Sequence, residues 1–183
     1  MVRLTIHYIH QSVKEIRAVN IKTKHIVMAA LMAALTCVAT MIIKIPSPLN
    51  GYINLGDCIV LVSGWLLLPA WGFFAAGFGA ALADILSGYA IYAPATFLIK
   101  GCMALAAFYG FQFLCNKCNK LISRILCGII AEAIMVLGYF IFEGFLYGFG
   151  PAAVNIPANL VQGSAGIIIS IVLMKLFDKS KLV

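Results

Sequence analysis

The chain has 183 residues, 63% of them hydrophobic and only 10% charged, with a mean hydropathy of +1.05. These fractions lie far outside those of soluble domains, so a water-soluble globular fold is excluded and a membrane-embedded helical bundle is expected. The formal charge of +7 comes from basic residues set between apolar runs. Because they are not gathered with stacking aromatics on one face, nucleic acid is set aside as a partner and the charge becomes a guide to membrane orientation.

Residues 1–23 carry Arg3, Lys14, Glu15, Arg17 and Lys22 with no uninterrupted apolar stretch, unlike a cleaved secretion signal. Leu4, Ile9, Val13 and Ile16 fall near helical spacing, which predicts a cytoplasmic or interfacial segment, with a frayed tail as the alternative. Six apolar segments follow: 24–43, 56–68, 70–86, 95–114, 123–142 and 156–177. They define one transmembrane domain over 24–177, leaving 178–183 as a cytoplasmic tail.

A helix needs about 20 apolar residues to cross a hydrocarbon layer of roughly 30 Å. The second and third segments fall short of that, and only Pro69 and its neighbours part them, so a single long helix is the competing layout. Charge placement decides. With six spans, the N-terminal segment, the Lys117, Lys120 and Arg124 loop and the Lys175, Lys179 and Lys181 tail all face the cytoplasm, as short basic loops prefer. The expected fold is therefore an all-α bundle of six transmembrane helices with both termini cytoplasmic, in a cell membrane.

Small residues recur every fourth position in the first helix (Ala29 and Ala33, Ala30 and Ala34) and in the third (Gly72, Ala76 and Ala80; Ala75, Gly79 and Ala83). In lipid such rows replace the missing hydrophobic drive with close backbone contact, either within the chain or against a partner.

Polar residues inside lipid cost at least about 2.5 kcal/mol when ionisable, so each is expected to face a cavity or a partner. Asn54 and Asp57 open the second helix from outside, Asp84 ends the third, Lys100 lies about two turns into the fourth, Glu143 closes the fifth, and Asn155, Asn159 and Gln162 open the sixth. All these fall in the outer half; the inner half keeps Glu132, near mid-depth, and the basic edges. The pattern describes a cup open to the exterior. Tyr52, Tyr89, Tyr92 and Tyr147 in the surrounding loops offer amphipathic rings to close over a planar ligand, or else form an interfacial belt. Asp84 and Lys100, at similar depth on consecutive helices, either neutralise each other or bind ligand.

Catalysis is not expected. No histidine follows His25, and the acids Asp57, Asp84, Glu132 and Glu143 lie on separate helices without a local motif. Cys115 and Cys118 form a lone C-x-x-C, too few ligands for a zinc site, so neither metal nor cofactor is expected. There is no phosphate-binding G-x-x-x-x-G-K-[ST] loop, so the chain cannot hydrolyse ATP by that device alone.

In Tyr52-Ile-Asn-Leu-Gly-Asp57, Ala83-Asp-Ile-Leu-Ser-Gly-Tyr89 and Ala93-Pro-Ala-Thr-Phe-Leu-Ile-Lys-Gly101, together with the Ala-x-x-x-Ala rows, the chain resembles the substrate-binding S components of energy-coupling factor (ECF) vitamin transporters. The resemblance covers roughly residues 24–177. It implies a six-helix subunit that binds a vitamin near its outer face, beneath the loops joining helices one to two, three to four and five to six. It also implies docking through Ala29, Ala30, Ala33 and Ala34 onto a transmembrane coupling protein driven by two ATPase subunits.

The likeness is to members of pyridoxine, hydroxymethylpyrimidine or riboflavin type. Asn54, Asp57, Asp84, Tyr89, Tyr92, Lys100, Glu143, Asn155, Asn159 and Gln162 are the expected ligand-binding set. One lysine among three acids suits a small heteroaromatic ring with hydroxyl or amino groups better than a phosphate. The alternatives are a stand-alone secondary transporter, which calls for a midplane coupling-ion site, and a membrane scaffold without a ligand.

Overall fold

The computed structural model describes the backbone of residues 2–46 and 52–180, and the side chains of 22–46 and 52–179. A hydrocarbon layer offers no hydrogen-bond partners, so a chain this apolar closes its peptide groups within helices. Among the described residues there are seven: α1 (Val2–Ile42), α2 (Gly56–Leu66), α3 (Pro69–Leu86), α4 (Ala93–Cys115), α5 (Lys120–Tyr147), α6 (Phe149–Val154) and α7 (Ile156–Ser180). Five contain stretches long and apolar enough to cross a membrane: Lys22–Ile42, Pro69–Leu86, Ala93–Cys115, Lys120–Tyr147 and Ile156–Lys179. The chain is a multi-pass membrane protein.

The second and third segments do not merge. Leu67 and Leu68 are extended, and α3 begins on Pro69, whose missing N–H is harmless in the first turn of a helix but breaks one that tries to run through it. At 11 residues α2 is about 16 Å long, half the hydrocarbon thickness. The fifth segment runs on to Tyr147 and ends at Gly148, whose φ of +91° is open to glycine; the short α6 that follows was not foreseen. The interfacial packing expected of Leu4, Ile9, Val13 and Ile16 falls outside the described side chains, and tail residues 181–183 lie outside the described residues.

At the centre α3 packs against α1 and α4, α4 packs on to α5, and α2 fits between α4 and α7. The small-residue rows explain the intimacy of α1 with α3. A Cβ on Gly79 would lie 2.4 Å from the Ala33 carbonyl oxygen and 2.8 Å from the Thr36 side chain. Ala29 and Ala75 meet in one buried cluster, so half of the α1 row is spent inside the chain, while Ala30 and Ala34 remain exposed. Thr36 and Thr40, buried beside this seam, return their hydroxyls to the carbonyls of Met32 and Thr36 at 2.8 Å, which spares the lipid layer two unpaired polar groups.

Near the α5 start, Arg124 grips Asp178 of α7 through both terminal nitrogens, at 2.7 and 3.2 Å. Its guanidinium also lies 5.9 Å from the Trp65 ring and 5.5 Å from Phe111. The α1–α3 seam leaves no room for added volume: Gly79→Val should cost about 1–3 kcal/mol by overpacking and lower the melting temperature of the detergent-purified protein. Gly150→Ala, whose new Cβ would meet nothing within 4 Å, should leave it unchanged.

Candidate functional site

After α1 the chain folds into a two-residue antiparallel ribbon, Ile45–Pro46 with Tyr52–Ile53, in the register Ile45 to Ile53 and Pro46 to Tyr52. The ribbon carries Tyr52 over the end of α3, where its hydroxyl donates to Asp84 Oδ1 at 2.7 Å. Its ring lies 4.9 Å from Tyr89, which is 6.5 Å from Tyr92. Burial first, then the Asp84 carboxylate, push the Tyr52 phenol above its ordinary pKa, so it remains a hydrogen-bond donor at any physiological pH.

Across from this wall, Asn155 Nδ2 donates to Glu143 Oε1 at 2.9 Å. The Tyr92 hydroxyl reaches the same oxygen at 3.5 Å. Between the two acids the hydroxyls of Thr96 and Tyr139 meet at 3.0 Å. The walls hold unspent acceptors, Asp84 Oδ2 and Glu143 Oε2, with Asn155 Oδ1 behind them, all buried without a hydrogen-bond partner. A buried acceptor left unmet costs about 1–3 kcal/mol, which a donor-bearing ligand would relieve.

Gln162 forms the floor. Its Oε1 accepts from the Asn54 backbone N–H at 2.9 Å and from Asn54 Nδ2 at 3.3 Å, while its Nε2 donates to Asp57 Oδ2 at 2.7 Å. Asn54 also caps the start of α2, its Oδ1 accepting from the Gly56 N–H at 2.8 Å. The other Asp57 oxygen holds the Lys100 ammonium in an ion pair, with the two side chains 0% and 3% exposed. Lys100 also sits 5.4 Å from the Tyr139 ring centre.

Tyr52, Asn54, Asp84, Tyr89, Tyr92, Thr96, Tyr139, Glu143, Asn159 and Gln162 line one cavity of about 40 Å³, room for a few waters. Of the sequence-predicted set, Asn54, Asp84, Tyr89, Tyr92, Glu143, Asn159 and Gln162 face it. Asp57, Lys100 and Asn155 stand behind, each bonded to a lining residue or to one another.

The ion pair that the sequence suggested between Asp84 and Lys100 forms between Asp57 and Lys100, because Asp57 opens α2 against α4 while Asp84 is held by Tyr52. Thr96 and Tyr139 were missed. Each lies four residues before a residue that had been singled out, Lys100 and Glu143, hence one turn away on the same helix face, and that spacing was the available signal.

A buried pair whose oxygens are all engaged should be sensitive to the loss of one partner. Lys100→Met is expected to cost about 3–5 kcal/mol by leaving Asp57 uncompensated, and Asp57→Leu with Lys100→Met to recover most of it. Thermal unfolding of the three proteins in detergent checks this.

The family model described as ECF-type riboflavin transporter, S component, matches residues 20–179. An uncharacterised protein of Pyrococcus woesei is 38% identical over 133 residues, covering 72% of this chain and 86% of its own length. The thiamine precursor transporter HmpT of Lactococcus lactis subsp. cremoris (strain MG1363) is 27% identical over 164 residues, covering 88% of this chain and 92% of its own. Among solved structures, the S component of a bacterial ECF transporter superposes with a TM-score of 0.67 at 20% identity, over 88% of this chain and 99% of that one. The S component for biotin from an ECF-type ABC transporter gives 0.62 at 19%, over 87% and 93%. These two likenesses speak to the fold.

Proposed function

The chain belongs to the family of ECF-type riboflavin transporter S components, substrate-binding and not catalytic, and from that premise we propose that its cup captures a single-ring heteroaromatic vitamin or precursor carrying amino and hydroxyl donors. Hydroxymethylpyrimidine and pyridoxine are the leading chemistries. The observation that carries this reading is the pair of buried, unpartnered acceptors on lining residues, Asp84 Oδ2 and Glu143 Oε2, beside a wall of tyrosines. A ligand of this kind donates to the acids and stacks on the rings.

The small cavity and the name of the Lactococcus relative favour one ring. The family description favours riboflavin, whose three fused rings would require Tyr52, Tyr89 and Tyr92 to part further. In either case Asn54, Asp84, Tyr89, Tyr92, Glu143, Asn159 and Gln162 contact the ligand, and Asp57, Lys100 and Asn155 hold those contacts in place.

We further propose that α2 enters the membrane as a half-length sixth span, so that both termini, with residues 1–23 and 178–183, lie on the cytoplasmic side, and the cup faces outward. S components of this family work with a transmembrane coupling component and ATPase components. The docking surface proposed for them is the α1 face that bears Ala30 and Ala34, with the adjoining apolar groove of Ile26, Ala29, Ala33, Trp71, Phe74, Ala75 and Phe78. A stand-alone secondary transporter is disfavoured by the gathering of polar groups at one end of the bundle.

Detergent-purified protein incubated with a panel of B-vitamins and precursors, with retained ligand identified by mass spectrometry, should yield one hit. Asp84→Asn and Glu143→Gln should each weaken it about tenfold, the loss of one charge-assisted hydrogen bond. If a folded sample retains nothing across the panel, the vitamin reading fails. Ala30→Leu with Ala34→Leu should leave binding intact and abolish ATP-dependent uptake by the reconstituted transporter; unchanged uptake would remove the docking role.

A further inference from the structure

Glu132 has no part in the cup, yet its placement is the least economical in the bundle. It lies near the middle of α5, about 18 Å from the helix start, and is 6% exposed with neither carboxyl oxygen hydrogen-bonded. The carboxyl lies against the glycine face of α7. A Cβ on Gly163 would fall 3.0 Å from Glu132 Oε2, and one on Gly166 would fall 3.1 Å from Oε1. Those two glycines make the room the acid occupies. The charges that bear on it, Asp57 and Lys100, are opposite in sign and already paired with each other.

The acid forms part of the lining of a groove of about 410 Å³ between α5 and α7, walled by Ile129, Val136, Leu137, Leu160 and Ile167. Ile129, Leu137 and Leu160 are more than half exposed, so the groove opens sideways to lipid. Ser164 is turned back to the Leu160 carbonyl at 2.8 Å, leaving Glu132 and Asn159 as its polar groups.

We propose that this groove, which meets the cup at Asn159 and opens to the other side of it, is a second ligand site, for a lipophilic primary amine. In an apolar setting an unpaired carboxyl is held as the neutral acid, because the isolated carboxylate is too costly. A neutral amine can reach it through the hydrocarbon without burying a charge. There the acid O–H gives its proton to the amine lone pair, so that the O–H bond breaks, an N–H bond forms, and a carboxylate and an ammonium remain in contact. The apolar body fills the groove. One carboxyl and one amide are too few for a hard metal ion, an anion would enter as a buried charge with no free cation among the described lining residues to pair it, and an alcohol makes a hydrogen bond without the ion pair. The site goes beyond the vitamin reading and does not depend on it.

The test places the protein in phosphatidylcholine nanodiscs, with n-octylamine as the probe and n-octanol as its uncharged counterpart. Infrared difference spectra follow the C=O stretch of the protonated carboxyl. Octylamine should remove a carboxylic-acid band saturably and raise carboxylate bands, octanol should do neither, and Glu132→Gln should abolish the response. Ala133→Phe, which adds bulk at the exposed groove lining and leaves the acid in place, should weaken the octylamine response at least tenfold while vitamin retention stays as in the unaltered chain. No saturable band loss in the unaltered protein, an equal response to octanol, or full response in Ala133→Phe would each overturn the proposal.

Discussion

The ion pair of Lys100 with Asp57 is the interaction from which the rest of the cup is hung. Two charges in a medium of low dielectric must satisfy each other and spend their remaining hydrogen-bonding capacity well. Here Asp57 spends its second oxygen on Gln162, Gln162 spends its carbonyl on Asn54, and Asn54 caps the start of α2. That relay ties α4, α2 and α7 together and fixes where the ribbon leaves the membrane end. Tyr52, and through it Asp84, takes its position from the same relay. A chain with an 11-residue helix in its core needs such an anchor, since α2 is too short to be located by two membrane interfaces.

The bundle divides its polar groups by how fully they are satisfied. Thr36 and Thr40 are paired within the chain and serve packing, as does Arg124 through its two terminal nitrogens on Asp178, although its Nε, like Ser63 Oγ, has no partner. Asp84, Glu143 and Asn155 each keep an atom unspent around the cup, and Glu132 keeps two beside the lateral groove. In lipid, unsatisfied polar atoms are retained where a ligand repays them. The proposed vitamin site and the proposed amine site are two instances of that rule, differing in whether the opening faces water or hydrocarbon.

The small-residue rows divide in a similar way. Ala29 and Ala33 are used against α3, where Gly79 brings two backbones into contact, while Ala30 and Ala34 keep their faces open. One four-residue spacing thus yields both an internal seam and an unpartnered face, since the helix turns by about 100° between adjacent positions.

Much of this was legible in the sequence, for physical reasons. Membrane insertion is governed by local apolarity and the placement of Lys and Arg, so the multi-span class and the segment positions follow from the chain alone, as does the gathering of Asn54, Asp84, Glu143, Asn159 and Gln162 at one end, because depth along a helix is a matter of counting residues. Rotation about a helix axis and the pairing of side chains across helices are not local. Which acid takes Lys100, the inward turn of Tyr139 and Thr96, the break at Leu67 and Leu68 and the seating of Glu132 against Gly163 and Gly166 were decided only when the helices packed, since each depends on the direction in which a side chain leaves its helix and on the neighbour it meets there.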